Sequence, residues 1–544
     1  MTFGLARGRT LCLWVLILGF LLAVPQTGRA GDTVAASADD AVGAGRDFER
    51  QRQWREAIDH YELAIKSWPE NNDLVYGLRR SKFQFSIDRR YSDDSFNKGL
   101  LTQPRTDALD LLDSVVNNIR SRFVETIDTQ SIVAHGTESL WLALANPKFL
   151  DQNLVAADFA HIQELRTLLH QEYWNKPIGS QGDMRRVVGD VCDAAQRIAG
   201  VPPGAVVMEY VFGACNCLDD YSSVLTPARY SDMYSNIDGQ FVGIGIVMEG
   251  TLGKGMELVD VLPESPAMES GLLAGEWIIS IDGVDCRFLS TEEAAGLLVG
   301  AAGSQVRLEL DGESTEPHTA TCYRREVKVK SIPVAKMVNA ECGVAYLRMT
   351  TFQKRTADEL EHALQDLQRQ GMKALIWDLR GNPGGLLDEG VAVADVFIND
   401  GVIATTRGRL PEDNEVFDAF GPGTWQLPLV VLIDGYSASA SELVAGCIKD
   451  HHRGTLVGRN SYGKWSVQTI ASLNSGIGMR LTTARFYSPD GHSYSKIGLE
   501  PDVVVDAPAE QSERRSSSAA VDPATDPDLK AALDILCRQS YTRR

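Results

Sequence analysis

Seven consecutive residues, Leu427 to Ile433, carry no polar side chain, and this run limits the fold more than any other feature. A half-exposed strand would alternate, so both faces here must be covered, as in a parallel sheet with helices on either side. The chain then enters Tyr436-Ser437-Ala438-Ser439-Ala440-Ser441-Glu442, after which Leu443, Val444, Cys447 and Ile448 mark a helix. Val344–Met349 and Ala374–Leu379 read as further strands, flanking an amphipathic helix over Thr356–Gln370. Strands and helices alternate from 330 to 506, which predicts an α/β unit.

A chain of 544 residues is too long for one core, and about two to four domains are expected. Residues 1–30 read as a secretory signal. Arg7 and Arg9 precede the apolar run Leu11–Val24, and Gly28-Arg29-Ala30 offers a small-residue cleavage site. An uncleaved anchor is the alternative, although the run is shorter than the roughly 20 residues a spanning helix needs. Export is expected, to a periplasmic or other extracytoplasmic space, with no span in the mature chain.

Within 38–95, Gly45, Phe48, Ala57, Tyr61, Ala64 and Pro69 fall at the offsets of one tetratricopeptide-like helical hairpin. Such a hairpin can hold a protein partner, and one repeat needs a neighbour to cover its face, such as the amphipathic segment 73–91. Residues 105–240 read as mainly helical. At Phe241-Val242-Gly243-Ile244-Gly245-Ile246 the pattern changes to β-branched alternation with glycine punctuation, and a strand ends in the Asp282-Gly283 turn. The block 241–329 looks like a PDZ domain, in which Gly243, Ile244, Gly245 and Ile246 would receive a peptide's terminal carboxylate while the peptide adds as a strand. Residues 507–526 read as a linker and 527–544 as a terminal helix.

Net charge is −20 and no Lys/Arg stripe stands out, so nucleic acid is not an expected partner. The cysteines are scattered without a disulfide framework, and Cys215-Asn216-Cys217 lacks the second pair a zinc site requires. Neither metal nor cofactor is expected. Export permits disulfides, but most of these thiols are expected as small buried residues.

Chemistry concentrates in three places. Ser439 alone among its serine neighbours is followed three residues on by Glu442, a capping-box pattern that puts it at a helix start. Free N–H groups and the positive helix end suit an oxyanion there. Asp378-Leu379-Arg380-Gly381-Asn382-Pro383-Gly384-Gly385 follows a buried strand, and its paired glycines would let backbone approach a substrate carbonyl. Lys464 sits among Tyr462, Trp465 and Val467, with Gln468 four residues on. A lysine in apolar surroundings is a base, since desolvation disfavours its charged form. In an extended strand Lys464 and Gln468 would stand ~13 Å apart, so contact between them needs a bend.

Taken in order, the segment Leu218–Pro227, the PDZ-like block, Asp378–Gly385, Ser437–Glu442 and Gly463–Gln468 resemble the carboxy-terminal processing peptidases, over roughly 105–540. That resemblance implies a ClpP/crotonase-like core with Ser439 as nucleophile, Lys464 as general base and Gln468 orienting the lysine. Its oxyanion hole would use the N–H groups of Ala440 and Gly385. It implies an exported serine endopeptidase that takes protein substrates with exposed, apolar C-terminal tails. Trp465 replaces the family's usual glycine, and Tyr494-Ser495-Lys496-Ile497-Gly498 departs from its pattern. Two other readings stand beside it. One is a Ser/His/Asp hydrolase using His492. The other is an inactive scaffold whose PDZ-like and hairpin parts bind peptides.

Overall fold

The fold is a computed structural model that describes residues 14–16, 37–154, 158–251, 253–289, 291–312, 315–421, 424–506 and 523–542. The expected signal segment 1–30 and linker 507–526 therefore lie largely outside the described residues.

The apolar run becomes the strand Leu429–Ile433, buried throughout, in a six-stranded sheet. Its order is Val334–Asn339, Val344–Arg348, Ala374–Asp378, Leu429–Ile433, Thr455–Gly458 and Val503–Val504. All pairs are parallel except the first. Period-2 alternation sorts the two faces. Leu375, Trp377, Val431 and Ile433 pack with residues of the helices Thr356–Arg369, Leu387–Asp395 and Ala440–Asp450. Ala374, Ile376, Val430 and Leu432 pack with Leu529, Ala532 and Leu536 of the terminal helix Pro527–Thr542. The terminal helix is thus part of the core. A disulfide, Cys342–Cys537, ties it to the start of the sheet across 195 residues of sequence. Of the other described cysteines, all but the half-buried Cys217 are buried free thiols.

A second, mainly antiparallel sheet runs beside the first: Gly385–Leu386, Trp14–Leu16, Ser466–Ser472, Gly478–Tyr487, Val402–Gly408 and Val416–Asp418. The backbone of 14–16 lies antiparallel between Gly385–Leu386 and Ser466–Ser472. The slot between those two strands therefore accepts an extended chain from both sides.

The helices Ala38–Arg50 and Trp54–Ser67 cross with Gly45 directly under the Tyr61 ring, where a Cβ would come within 2.3 Å of it. The helix Asn72–Tyr91 closes this face through Leu74 and Gly77. It also enters the next core, where Tyr91 and Ser139 donate to the buried Glu209 carboxylate at 3.0 and 2.7 Å, and Arg90 pairs with it. That core spans Arg105–Arg122, Thr129–Ala143, Gln181–Ala199 and Pro203–Gly213, and includes Met479 and Leu481 of the second sheet.

The β-rich block holds the sheet Ile246–Thr251, Gly255–Val261, Trp277–Ile281, Gln305–Gly312 and Thr315–Tyr323, with Val284–Asp285 beside Trp277–Ile281. Among the described residues, no helix is long and apolar enough to cross a membrane.

Candidate active site

The strand Leu429–Ile433 ends against the glycine loop, and the serine turn is bolted to that loop. The Ser437 hydroxyl donates to the Leu379 carbonyl at 2.8 Å, and the Ser441 hydroxyl to the Asn382 carbonyl at 2.9 Å. Ala438 N–H also reaches Asn382 O at 3.0 Å. Two of the three serines are therefore structural staples. Ser439 stands between them at the mouth of Ala440–Asp450, fully buried, with φ 61° and ψ −117°. A non-glycine residue at positive φ is uncommon and costs on the order of 1–3 kcal/mol, held only where the surroundings over-determine it.

Gly384 packs so closely on this turn that a Cβ there would come within 2.7 Å of Ser439 Cβ and 2.9 Å of Ala440 N. A Cβ on Gly385 would strike the Phe352 carbonyl at 2.0 Å. Glycine is required at both. Gly384 N–H is already bound to Asn382 Oδ1 at 2.9 Å, which turns attention to Gly385 as the loop's donor. Behind the loop, Arg380 is buried and binds Asp378, Asp526 and Asp528. Burial raises the Asp378 pKa, but the charge and hydrogen bonds of Arg380, with Arg348 and the Tyr346 hydroxyl, together hold it well below the usual carboxylate range.

Glu442 joins the two halves of the site. Its carboxylate accepts from Ser439 N–H at 2.8 Å, Gly463 N–H at 2.7 Å, Lys464 N–H at 2.8 Å and Ser461 Oγ at 2.5 Å. One acid at the third helix position therefore fixes the backbone of Ser439 and of Lys464 together. Burial raises its pKa, while the four donors pull the other way. Sequence reasoning saw only the local capping pattern, because the partners at 461–464 are remote in the chain.

The Lys464 side chain is buried, and its Nζ has no hydrogen-bond partner. The Tyr221 ring lies over it, 5.0 Å from Nζ to the ring centre. Its pKa falls well below the ordinary lysine value, first from desolvation and then from the Arg480 charge, with Asp219 and Glu442 opposing. Gln468 lies on Ser466–Ser472, where a bulge interrupts the pairing between Val467 and Gln468. Its amide donates to Ser466 Oγ at 2.9 Å and Thr482 Oγ1 at 3.3 Å, and its Oε1 is buried without a partner. The required bend is present, yet Lys464 Nζ bonds neither Gln468 Oε1 nor Ser439 Oγ in this state.

A helix-mouth serine, a dry lysine and a double-glycine loop form the constellation of a serine-type peptidase. The profile of peptidase family S41 matches residues 343–505, and a PDZ-domain profile matches 257–311. The carboxy-terminal-processing protease of Bartonella bacilliformis is 39% identical over 299 residues, covering 54% of this chain and 67% of its own. The chain belongs to peptidase family S41. The carboxyl-terminal-processing protease of a Synechocystis species is 34% identical over 322 residues, with 58% and 74% covered. A solved structure titled photosystem II D1 C-terminal processing protease is 24% identical, covering 75% of this chain and 96% of its own at TM-score 0.40. Like its relatives, this S41 peptidase is a serine-type enzyme.

Trp465, the departure from the family pattern, is core. Its ring stacks on Phe486 at 4.6 Å, meets Tyr494 edge-on at 5.1 Å, and leaves a Cβ on Gly446 only 3.0 Å of room. The 494–498 segment buttresses the lysine loop: Lys496 N–H reaches Gly463 O at 2.8 Å, and a Cβ on Gly498 would strike Ser461 O at 2.1 Å. His492 is exposed and grouped with Asp450 and Asp490, at the far end of the helix that Ser439 begins. Eleven residues of helix separate the two ends, about 16 Å, so a Ser/His/Asp arrangement is not assembled.

In the PDZ domain, Gly243 ends the strand Gln240–Gly243, Ile244 is buried in the domain core, and Gly245 has φ 79°. A Cβ on Gly245 would meet Ser265 Cβ at 2.4 Å, so the turn needs glycine. Ile246 opens the edge strand of the domain's sheet.

Proposed function

We propose that this S41 peptidase is an exported endopeptidase that cleaves near the C-termini of protein substrates through Ser439 and Lys464. The observation carrying the reading is the Glu442 bracket, a single carboxylate gripping the backbone N–H of both residues. The uncharged state favoured for the buried lysine adds to it.

Substrate enters as an extended strand in the slot between Gly385–Leu386 and Ser466–Ser472, the slot in which 14–16 lies. Lys464 Nζ then turns from beneath the Tyr221 ring toward Ser439 and removes the Oγ proton. Oγ bonds to the scissile carbonyl carbon, and the oxyanion takes the N–H groups of Ala440 and Gly385. The Lys464 ammonium returns the proton to the leaving amine, whose bond to carbon breaks. The resulting acyl-enzyme is hydrolysed by water with Lys464 again as base. Gln468 Oε1, buried and open, is a natural acceptor for the lysine in that state. The ClpP/crotonase-like expectation is kept for the core, whose mostly parallel sheet has helices on both faces.

Tail recognition falls to the PDZ domain, with the edge strand from Ile246 receiving the peptide and Gly243–Gly245 its carboxylate. The tetratricopeptide-like hairpin is kept as a site for a protein partner. The scaffold reading is not favoured.

A serine-reactive phosphonate tests the dyad. Wild type should form a covalent adduct and cleave an unfolded protein with an apolar tail. Ser439→Ala should do neither, and Lys464→Ala should lose about 10²–10⁴-fold, as expected for a missing general base. Labelling of Ser439→Ala at the wild-type rate would sink the assignment.

A further inference from the structure

The cover over Lys464 does not come from the peptidase sheet. Tyr221 belongs to the turn 218–222, and this turn is held from several directions. Asp219 Oδ1 accepts from Tyr221 N–H at 3.3 Å and Ser222 N–H at 2.9 Å. Thr482 N–H donates to Ser222 Oγ at 3.1 Å, and Arg480 Nε donates to the Tyr221 carbonyl at 2.9 Å. On the outer side, Lys82 Nζ bridges Asp220 at 3.3 Å and Glu62 at 3.0 Å. Lys82 lies on Asn72–Tyr91 and Glu62 on Trp54–Ser67. Lys82 therefore links the N-terminal helices to this turn.

We propose that the turn 219–222 is a cover that keeps the base dry, with Tyr221 as its positioning residue and Lys82 anchoring it to the N-terminal helices. This rests on the Ser/Lys reading. An aromatic face attracts a cation, but less strongly than the water it displaces. The net action of the Tyr221 ring is to exclude water and favour the neutral amine. The charged or titratable groups facing Lys464 are Arg480, Asp219, Glu442 and Tyr221 itself, with Tyr462 hydrogen-bonded to Tyr221. Arg480 pushes in the same direction as the ring, and the two acids push against it. The hairpin thus acts on the base through the turn.

The test is the pH dependence of kcat/KM on a fluorogenic peptide for the full-length enzyme, in which the acid limb reports deprotonation of the base. Tyr221→Ala admits water, so its midpoint should move up by about one pH unit or more, a roughly tenfold loss near neutrality recovered in alkali. Tyr221→Phe loses only the hydrogen bond to Tyr462 and should keep the wild-type midpoint. Lys82→Met, at a half-exposed site, should shift the midpoint the same way by less, about two- to threefold in rate near neutrality. Should Tyr221→Ala fail to fold, Tyr221→Gln is read in the same way. A Tyr221→Ala loss that is equal at every pH overturns the proposal, as does a Tyr221→Phe midpoint that moves as far as that of Tyr221→Ala. An unmoved Lys82→Met midpoint removes the anchor. Full phosphonate labelling of Lys464→Ala would instead overturn the dyad beneath it.

Discussion

The two halves of the site are built on opposite principles. At the serine end nearly every polar group is tied down: Ser437 and Ser441 staple the turn to the glycine loop, and Glu442 grips Ser439 from within the helix. At the lysine end the backbone is gripped by the same carboxylate, but the reactive Nζ and the Gln468 oxygen are left without partners. The difference suits the roles proposed for the two residues. An attacking oxygen at a strained φ needs fixed surroundings, whereas a base needs an amine that is uncharged and able to turn.

The sharpest way to break this contrast is at the group both halves share. Glu442→Ala strands three backbone N–H groups in a dry interior, each costing about 1–3 kcal/mol. Even with partial relaxation, the loss should be on the order of 5 kcal/mol, enough to unfold much of a marginally stable core. Glu442→Gln keeps an acceptor oxygen and should cost less than half as much. Urea denaturation distinguishes them. Equal midpoints for wild type and Glu442→Ala would show that the bracket does not hold the two halves together.

The lysine half predicts the opposite sign. Burial holds the Lys464 pKa well below its value in the unfolded chain, so between those two values unfolding takes up a proton. Stability lost to this difference is fully missing below the folded pKa, returns as pH rises, and is restored above the ordinary lysine value of 10.5. Lys464→Met should therefore lower turnover by about 10²–10⁴-fold while raising stability by about 1–3 kcal/mol at neutral pH, since it removes a buried polar group lacking a partner. The gain should shrink as pH approaches 10.5. A melting temperature that falls on this substitution would mean the amine is held by something stabilising.

How much of this could be read in the sequence divides along the same line. The run Leu427–Ile433, the turn after it and the Ser439–Glu442 spacing are local signals, and local periodicity and capping rules suffice for them. Lys464 carried a weaker signal, its aromatic and aliphatic neighbours, and the role proposed for it comes from the family resemblance. The remaining features depend on contacts between distant segments. Glu442 meets residues 461–464 only when two sheets are in place, and Tyr221 covers Lys464 only after the helical region docks. The terminal helix reads in the sequence only as a helix after a linker, yet it fills one face of the sheet, and Asp526 and Asp528 at its start bind Arg380. Trp465 stood out beside the lysine as a large ring where the family has glycine, but Phe486 and Tyr494, 21 and 29 residues further on, draw that ring into the core.

The finest discrimination lies between the two staples, Ser437 and Ser441, each next to a single alanine in the sequence. Ser441→Ala removes one donor from the Asn382 carbonyl, which keeps Ala438 N–H at 3.0 Å. Ser437→Ala likewise leaves the Leu379 carbonyl with Asn382 N–H at 3.1 Å. Ser437 Oγ, however, also accepts from the buried Asp434 N–H at 3.0 Å, and that donor is orphaned by alanine. A lost donor to an otherwise satisfied carbonyl costs about 0.5–1 kcal/mol, whereas an orphaned buried N–H costs about 1–3. Ser437→Ala should therefore destabilise more than Ser441→Ala by about 1 kcal/mol. Both should lower kcat several-fold, because each loosens the glycine loop against Ser439. Equal denaturation midpoints for the two variants would mean that the Asp434 bond does not set the turn.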